Sequence, residues 1–118
     1  MSNQSPVIGI IGATGHLGAA IARRLVQSGE RVVMGSRDVA RARAAAEALS
    51  SATGREVASG SNLEAAATAD VIIVTVPFAA QPATMREIAA SVIGKIVVDT
   101  TVPLVPPKVM RVQLPPEG

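Results

Sequence analysis

The run Val7-Ile8-Gly9-Ile10-Ile11 leads directly into Gly12-Ala13-Thr14-Gly15-His16-Leu17-Gly18, and this junction constrains the fold more than any other stretch of the chain. An apolar, β-branched run is the material of a strand buried on both faces. Glycines at 12, 15 and 18 then permit a sharp turn, a close approach of backbone to a ligand and tight packing of the helix that follows. The first amides of that helix have no partner within it and point at the turn, an arrangement suited to a pyrophosphate. The residues from Gly12 to Gly18 are therefore candidate dinucleotide contacts. Thr14 either places its hydroxyl on the phosphates or satisfies the backbone of the turn.

A second cue selects the dinucleotide. The strand read over Arg31 to Met34 ends at Gly35-Ser36-Arg37. The commoner fingerprint has an acidic residue there to receive ribose hydroxyls. A guanidinium can fork onto a ribose phosphate that a carboxylate would repel, so Ser36 and Arg37 point to NADP(H) rather than NAD(H). Arg41 falls in the first turn of the next helix, where the macrodipole disfavours a cation by roughly half a kcal/mol unless an anion lies nearby. It is read either as a second phosphate ligand or as a solvated helix charge. Arg43 points to another face and is read as solvated.

Strand and helix signals alternate through the rest of the chain. A helix is expected from Leu17 to Gln27, and a second, capped by Asp38, to Leu49. A weak third strand is read at Glu56 to Ala58 and a short helix at Asn62 to Thr68. Val71 to Val76 is the strongest strand, ended by Pro77; a helix opening at Pro82 and a strand at Lys95 to Val98 follow. The pattern predicts an α/β, doubly wound parallel sheet of the Rossmann-like kind in one domain, with the first strand central and ligands at the carboxyl ends of the strands. Residues 1–102 are read as the NADP-binding domain and 103–118 as a Pro-rich tail, extended or irregular. Any sixth strand and a further domain are expected beyond Gly118.

Composition excludes several kinds of function. With no Trp or Tyr and only Phe78, the chain lacks the rings of a single-stranded nucleic-acid platform, and a net charge of +2 comes without a basic arm. No cysteine and a single histidine leave no thiolate chemistry and no metal cluster, and suit a reducing, cytoplasmic setting. Neither a secretory signal nor a run near the ~20 residues of a membrane span is present. No residue is assigned as catalytic. His16 stands at a helix start and is read as solvent-facing or phosphate-adjacent. Thr75, Val76, Pro77 and Phe78 leave the fourth strand where the nicotinamide half would lie, with Pro77 and Phe78 either walling the site or buried in the core. Asp99 is read as a loop anchor. An exposed edge at the fifth strand predicts self-association.

The segments Gly12-Ala13-Thr14-Gly15-His16-Leu17-Gly18, Gly35-Ser36-Arg37 and Thr75-Val76-Pro77-Phe78 together resemble the NADP oxidoreductases that use the 8-hydroxy-5-deazaflavin coenzyme F-420. The resemblance implies that Thr14 and the glycines bind pyrophosphate, that Ser36, Arg37 and Arg41 hold the ribose phosphate, and that Pro77 borders the nicotinamide. Phe78 stands where many relatives carry Trp. It further implies a deazaflavin as co-substrate, and a C-terminal half beyond this length that supplies much of the deazaflavin pocket and the dimer interface. Hydride transfer between two stacked cofactors needs no protein nucleophile or metal, consistent with the sparse catalytic inventory. The alternative is a non-catalytic NADP(H)-binding module or redox sensor.

Overall fold

The computed structural model describes residues 6–76, 81–100 and 108–111. The elements run β1 (Val7–Ile11), α1 (His16–Gln27), β2 (Arg31–Ser36), α2 (Val39–Thr53), β3 (Ala58–Ser61), α3 (Asn62–Thr68), β4 (Val71–Val74), α4 (Gln81–Ile88), a single 3-10 turn (Ala89–Val92), β5 (Ile96–Asp99) and β6 (Lys108–Arg111). They form one sheet in the order β3-β2-β1-β4-β5-β6. The first five strands are mutually parallel, and β1 lies between β2 and β4, in register Ile8 with Val32 on one side and with Val71 on the other. The chain thus builds outward from β1 to β3, then returns across β1 to lay down β4 and β5. That reversal is the switch point at which open α/β sheets bind their ligands.

Helices cover both faces because the central strands are apolar on both. Ile10, Val32 and Met34 pack with Ala22, Val26 and Leu49 under α1 and α2, while Ile11, Val33 and Ile72 pack with Ala65, Ala69 and Val92 on the opposite face. Successive residues alternate between the layers, as strand geometry requires. The second face is closely spaced: a Cβ on Gly9 would come within 2.8 Å of the Ala69 methyl, and one on Gly35 within 2.9 Å of the Ala65 methyl. Glycine on the sheet facing alanine on α3 and at its C-cap brings that helix hard against β1 and β2.

The seven-residue α3 is fixed at both ends. Ser61 and Glu64 form a reciprocal capping box, with Ser61 Oγ accepting from Glu64 N at 3.0 Å and Glu64 Oε1 from Ser61 N at 2.8 Å. At the other end Lys95 Nζ donates to the carbonyls of Ala66 (2.7 Å) and Ala67 (3.0 Å). Replacing Lys95 by Met keeps the aliphatic stem and removes these bonds. The expected loss is about 1 kcal/mol, read as a shift of a few degrees in the thermal midpoint; an unchanged midpoint would mean that water caps those carbonyls equally well.

Three expectations from sequence need correction. The sixth strand expected beyond Gly118 lies within the stretch read as extended or irregular: Lys108–Arg111 pairs antiparallel with β5, Val97 opposite Met110, and covers the fifth-strand edge that was expected to be exposed. The stretch 101–107 is shorter than the dozen or so residues a parallel crossover needs, so the returning strand can only run antiparallel. The third strand lies at Ala58–Ser61 rather than Glu56 to Ala58, because β2 dictates its register and not its own weak residue pattern. Helix α2 passes Leu49 and stops at Thr53, where Gly54 takes the left-handed conformation (φ 73°).

Candidate cofactor-binding site

A cleft of about 850 Å³ opens at the carboxyl ends of the parallel strands, within the size range of small-molecule sites. Its floor is the turn from β1 into α1. Gly12 adopts φ +80°, where a side chain would be strained, and a Cβ there would also meet Val76 Cγ1 at 2.7 Å. Gly18 is locked from beneath: a Cβ on it would lie 2.6 Å from the Gly12 carbonyl oxygen and 2.7 Å from Thr75 Oγ1. Gly15 differs, since the nearest neighbour of a Cβ there is the Gly12 carbonyl oxygen at 3.6 Å. Protein packing therefore demands glycine at 12 and 18, whereas at 15 it does not.

Gly15 is the N-cap of α1 and offers no side-chain acceptor, and no acidic residue occupies the first turn. The leading amides of a twelve-residue helix thus carry their partial positive charge with neither a capping side chain nor a first-turn carboxylate to meet it. Around this floor stand Thr14, His16, Leu17, Ser36, Arg37, Arg41, Thr75 and Val76, all expected from the sequence. His16 and Leu17 are exposed at the helix start, Leu17 at 48%. Ser36 is buried; its hydroxyl lies 3.3 Å from Thr14 Oγ1 and accepts from Asp38 N at 3.1 Å, tying the two phosphate-side turns together. Thr75 donates its hydroxyl to the carbonyls of Ile11 (2.7 Å) and Gly12 (3.1 Å), so it acts first on the shape of the turn.

Two expected contacts do not line the cleft. Ala13 is fully buried and spends its amide on the Gly35 carbonyl at 2.8 Å, and Gly18 lies under the turn. Arg43 pairs with Glu47 at 3.4 Å on the exposed face of α2, away from the cleft. Pro77 and Phe78 fall outside the described residues. Three lining residues were not read as site residues from the sequence: Asp38, expected only as the cap of α2, Asn62 and Thr84. Asp38 caps α2 by accepting from Arg41 N at 3.2 Å, which occupies its carboxylate next to two arginines that face the cleft. Asn62 and Thr84, exposed by 1% and 4%, are brought in by α3 and α4 and are identified only by the tertiary fold.

The donor set suits a phosphorylated dinucleotide. A glycine with no protein reason to be one, an uncapped helix start and cationic side chains at the tip of β2 are complementary to a pyrophosphate and a ribose phosphate. Fold and cleft define a dinucleotide-binding α/β domain.

The particular family is given by comparison: residues 7–103 match the family described as NADP oxidoreductase, coenzyme F420-dependent, and the chain belongs to it. It is 41% identical over 100 residues to the F420-dependent NADP reductase of Methanothermobacter thermautotrophicus, covering 82% of this chain and 43% of that protein. To the protein of the same name from Methanocaldococcus jannaschii it is 30% identical, covering 94% of this chain and 53% of the other. The chain therefore spans about half the length of the relatives it matches. Among solved structures, a protein from Arthrobacter sp. FB24 assigned as an F420-dependent NADP-reductase superposes with a TM-score of 0.67 at 25% identity, over 86% of this chain and 50% of that one. A lactate dehydrogenase from a deep-sea metagenome superposes at 0.72 with 16% identity, over 85% of this chain and 38% of that one, a likeness of fold alone. Among the described residues no helix is long and apolar enough to cross a membrane.

Proposed function

We propose that this chain is the NADP(H)-binding part of an oxidoreductase that passes hydride between NADPH and a deazaflavin. The observation that carries the reading is the continuity of one cleft from the Gly12–Gly15 turn to Ser36, Arg37 and Arg41 at the tip of β2. A pyrophosphate over Gly15 and the α1 amides would set the adenosine ribose beside β2, within reach of both guanidiniums. Thr14 and Ser36 tie the two subsites together, and His16 and Leu17 flank the phosphates. Thr75 and Val76, with Pro77 after them, shape the edge at β4 where the nicotinamide half would lie.

The bound nicotinamide and deazaflavin supply the hydride chemistry between them. What falls to the chain is to hold the dinucleotide in one orientation and to keep water from one side of it, which needs no acid, base or nucleophile of its own. The binding domain in this reading takes in β6 as well as residues 1–102. The acceptor pocket is completed by sequence outside the aligned half of the relatives or by a second copy of the chain, and a cytoplasmic setting accords with the absence of cysteine.

Calorimetric titration with NADPH and with NADH, repeated in the presence of a deazaflavin while its absorbance is followed, tests the reading. Selective binding of NADPH is expected. Equal affinity for the two nucleotides would remove Arg37 and Arg41 from the ribose phosphate, and no binding of either would sink the proposal altogether. Selective binding with NADPH-dependent bleaching of the deazaflavin makes the chain self-sufficient, while selective binding without bleaching places the acceptor pocket outside these residues.

A further inference from the structure

Among the buried side-chain nitrogen and oxygen atoms of the described residues, Asn62 Nδ2 is the one without a hydrogen-bond partner. The residue is 1% exposed and lines the cleft. Its Oδ1 accepts from the Gly12 amide at 3.2 Å, a proton that Gly12 shares with the Gly35 carbonyl at 3.1 Å. This contact fixes which way the amide points: the Gly12 N–H can only donate, so Oδ1 must face it and the NH2 group must face away. A buried amide nitrogen left without an acceptor is costly, and such groups in folded proteins are normally met by something. Here the fold supplies nothing, and the adjoining space is the cleft.

We propose that Asn62 Nδ2 donates a hydrogen bond to an oxygen of the adenosine half of the dinucleotide, so that one side chain holds the glycine turn through Oδ1 and reads the ligand through Nδ2. The inference rests on the NADP(H) reading above and adds to it a specific donor. Position selects the adenosine half. Asn62 begins α3 immediately after β3, on the β2 side of β1, and a Cβ on Gly35 would come within 3.1 Å of its Oδ1. Gly35 leads into Ser36 and Arg37, where the ribose and its phosphate would sit, whereas the nicotinamide edge at Thr75 lies beyond β1 on the β4 side. An NH2 group has no lone pair to offer, so its partner must be an acceptor, and the sugar and phosphate oxygens of that half are acceptors.

The chain has two asparagines, Asn3 and Asn62, which makes the side-chain amide readable by NMR. With 15N-labelled protein, the side-chain NH2 pair that disappears in Asn62→Asp is assigned to Asn62. Titration with adenosine 2′,5′-bisphosphate is expected to move that pair saturably, in step with the backbone amides of residues 12 to 15, and reduced nicotinamide mononucleotide is expected to leave it in place. Asn62→Asp keeps an acceptor for Gly12, loses the donor and adds a negative charge, so affinity for the bisphosphate should fall at least about tenfold, from the missing hydrogen bond and the like-charge repulsion together. If the backbone amides shift while the Asn62 side-chain pair does not, NADP(H) binding stands and this inference is overturned. If Asn62→Asp binds the bisphosphate like the parent, it is likewise overturned. If no resonance responds to either half-ligand, the cofactor reading fails and takes this inference with it.

Discussion

Replacing Arg37 by alanine is expected to weaken NADPH binding by about 2 kcal/mol, roughly 30-fold, and to leave NADH binding nearly unchanged. The two nucleotides differ only in the ribose phosphate, so the double difference isolates that group. Arg37 is exposed and lines the cleft next to Ser36, at the carboxyl end of β2 where the adenosine ribose is expected. Its guanidinium is weakly hydrated and forked, the geometry that pairs with a phosphate through two bonds, and Arg37→Lys should therefore recover only part of the loss. Arg41 should give a smaller effect of the same sign. It faces the same cleft, but from the first turn of α2 rather than from the tip of β2, and shares that stretch with the Asp38 carboxylate. Arg43→Ala is the control: that side chain is paired with Glu47 on an exposed surface, where such a pair contributes little, and neither nucleotide should notice its removal. Titration of the three variants with both nucleotides makes the check. An equal loss for NADPH and NADH in Arg37→Ala would show that the residue supports the cleft generally and does not read the phosphate.

The order of the elements and the placement of the β1–α1 turn were legible because both are local. Val7 to Ile11 is an apolar run followed by glycines at fixed offsets from its end, and the run from Val71 is β-branched up to Pro77, although the strand it forms stops at Val74 rather than Val76. What was not legible depends on register between segments distant in sequence. The third strand is made of Ala58, Ser59, Gly60 and Ser61, which carry no strand signal of their own, and it forms because Val33 to Ser36 present an unpaired edge to it. Asn62 follows from the same cause. Nothing in the sequence near it indicates a binding residue, and it reaches Gly12, fifty positions away, because Gly35 and Gly9 let α3 settle against the sheet. The short helix was expected at Asn62 to Thr68, and the structure adds the capping box at Ser61 and Glu64 that fixes its start. The returning strand at Lys108–Arg111 was hidden in the sequence by the prolines at 106, 107, 115 and 116, none of which falls among the four residues that pair with β5.

The glycines of the turn should separate stability from binding. Gly18→Ala is expected to destabilise the fold by about 2 kcal/mol, the balance of up to ~3 kcal/mol of overpacking against ~1 kcal/mol of improved helix propensity. The overpacking is hard to relieve. A Cβ at 18 would meet the Gly12 carbonyl oxygen at 2.6 Å and Ala13 Cα at 2.8 Å, both backbone atoms, and the third neighbour, Thr75 Oγ1 at 2.7 Å, is held by its bonds to the Ile11 and Gly12 carbonyls. The thermal midpoint should fall by about 10 °C. Gly15→Ala should behave oppositely. Its φ of −77° and ψ of 169° suit alanine, and the nearest atom to the new methyl is 3.6 Å away, so stability should stay within about 1 kcal/mol of the parent, the poorer N-cap offset by a stiffer unfolded chain. NADPH affinity, in contrast, should fall by about 2 kcal/mol, because the methyl would occupy the surface proposed to carry the pyrophosphate. Denaturation curves and nucleotide titrations on the two variants decide the matter. A Gly15→Ala protein that binds NADPH as the parent does would mean that the pyrophosphate does not lie over this residue, and the helix start would lose its assignment as the anion site even if Arg37 kept its own.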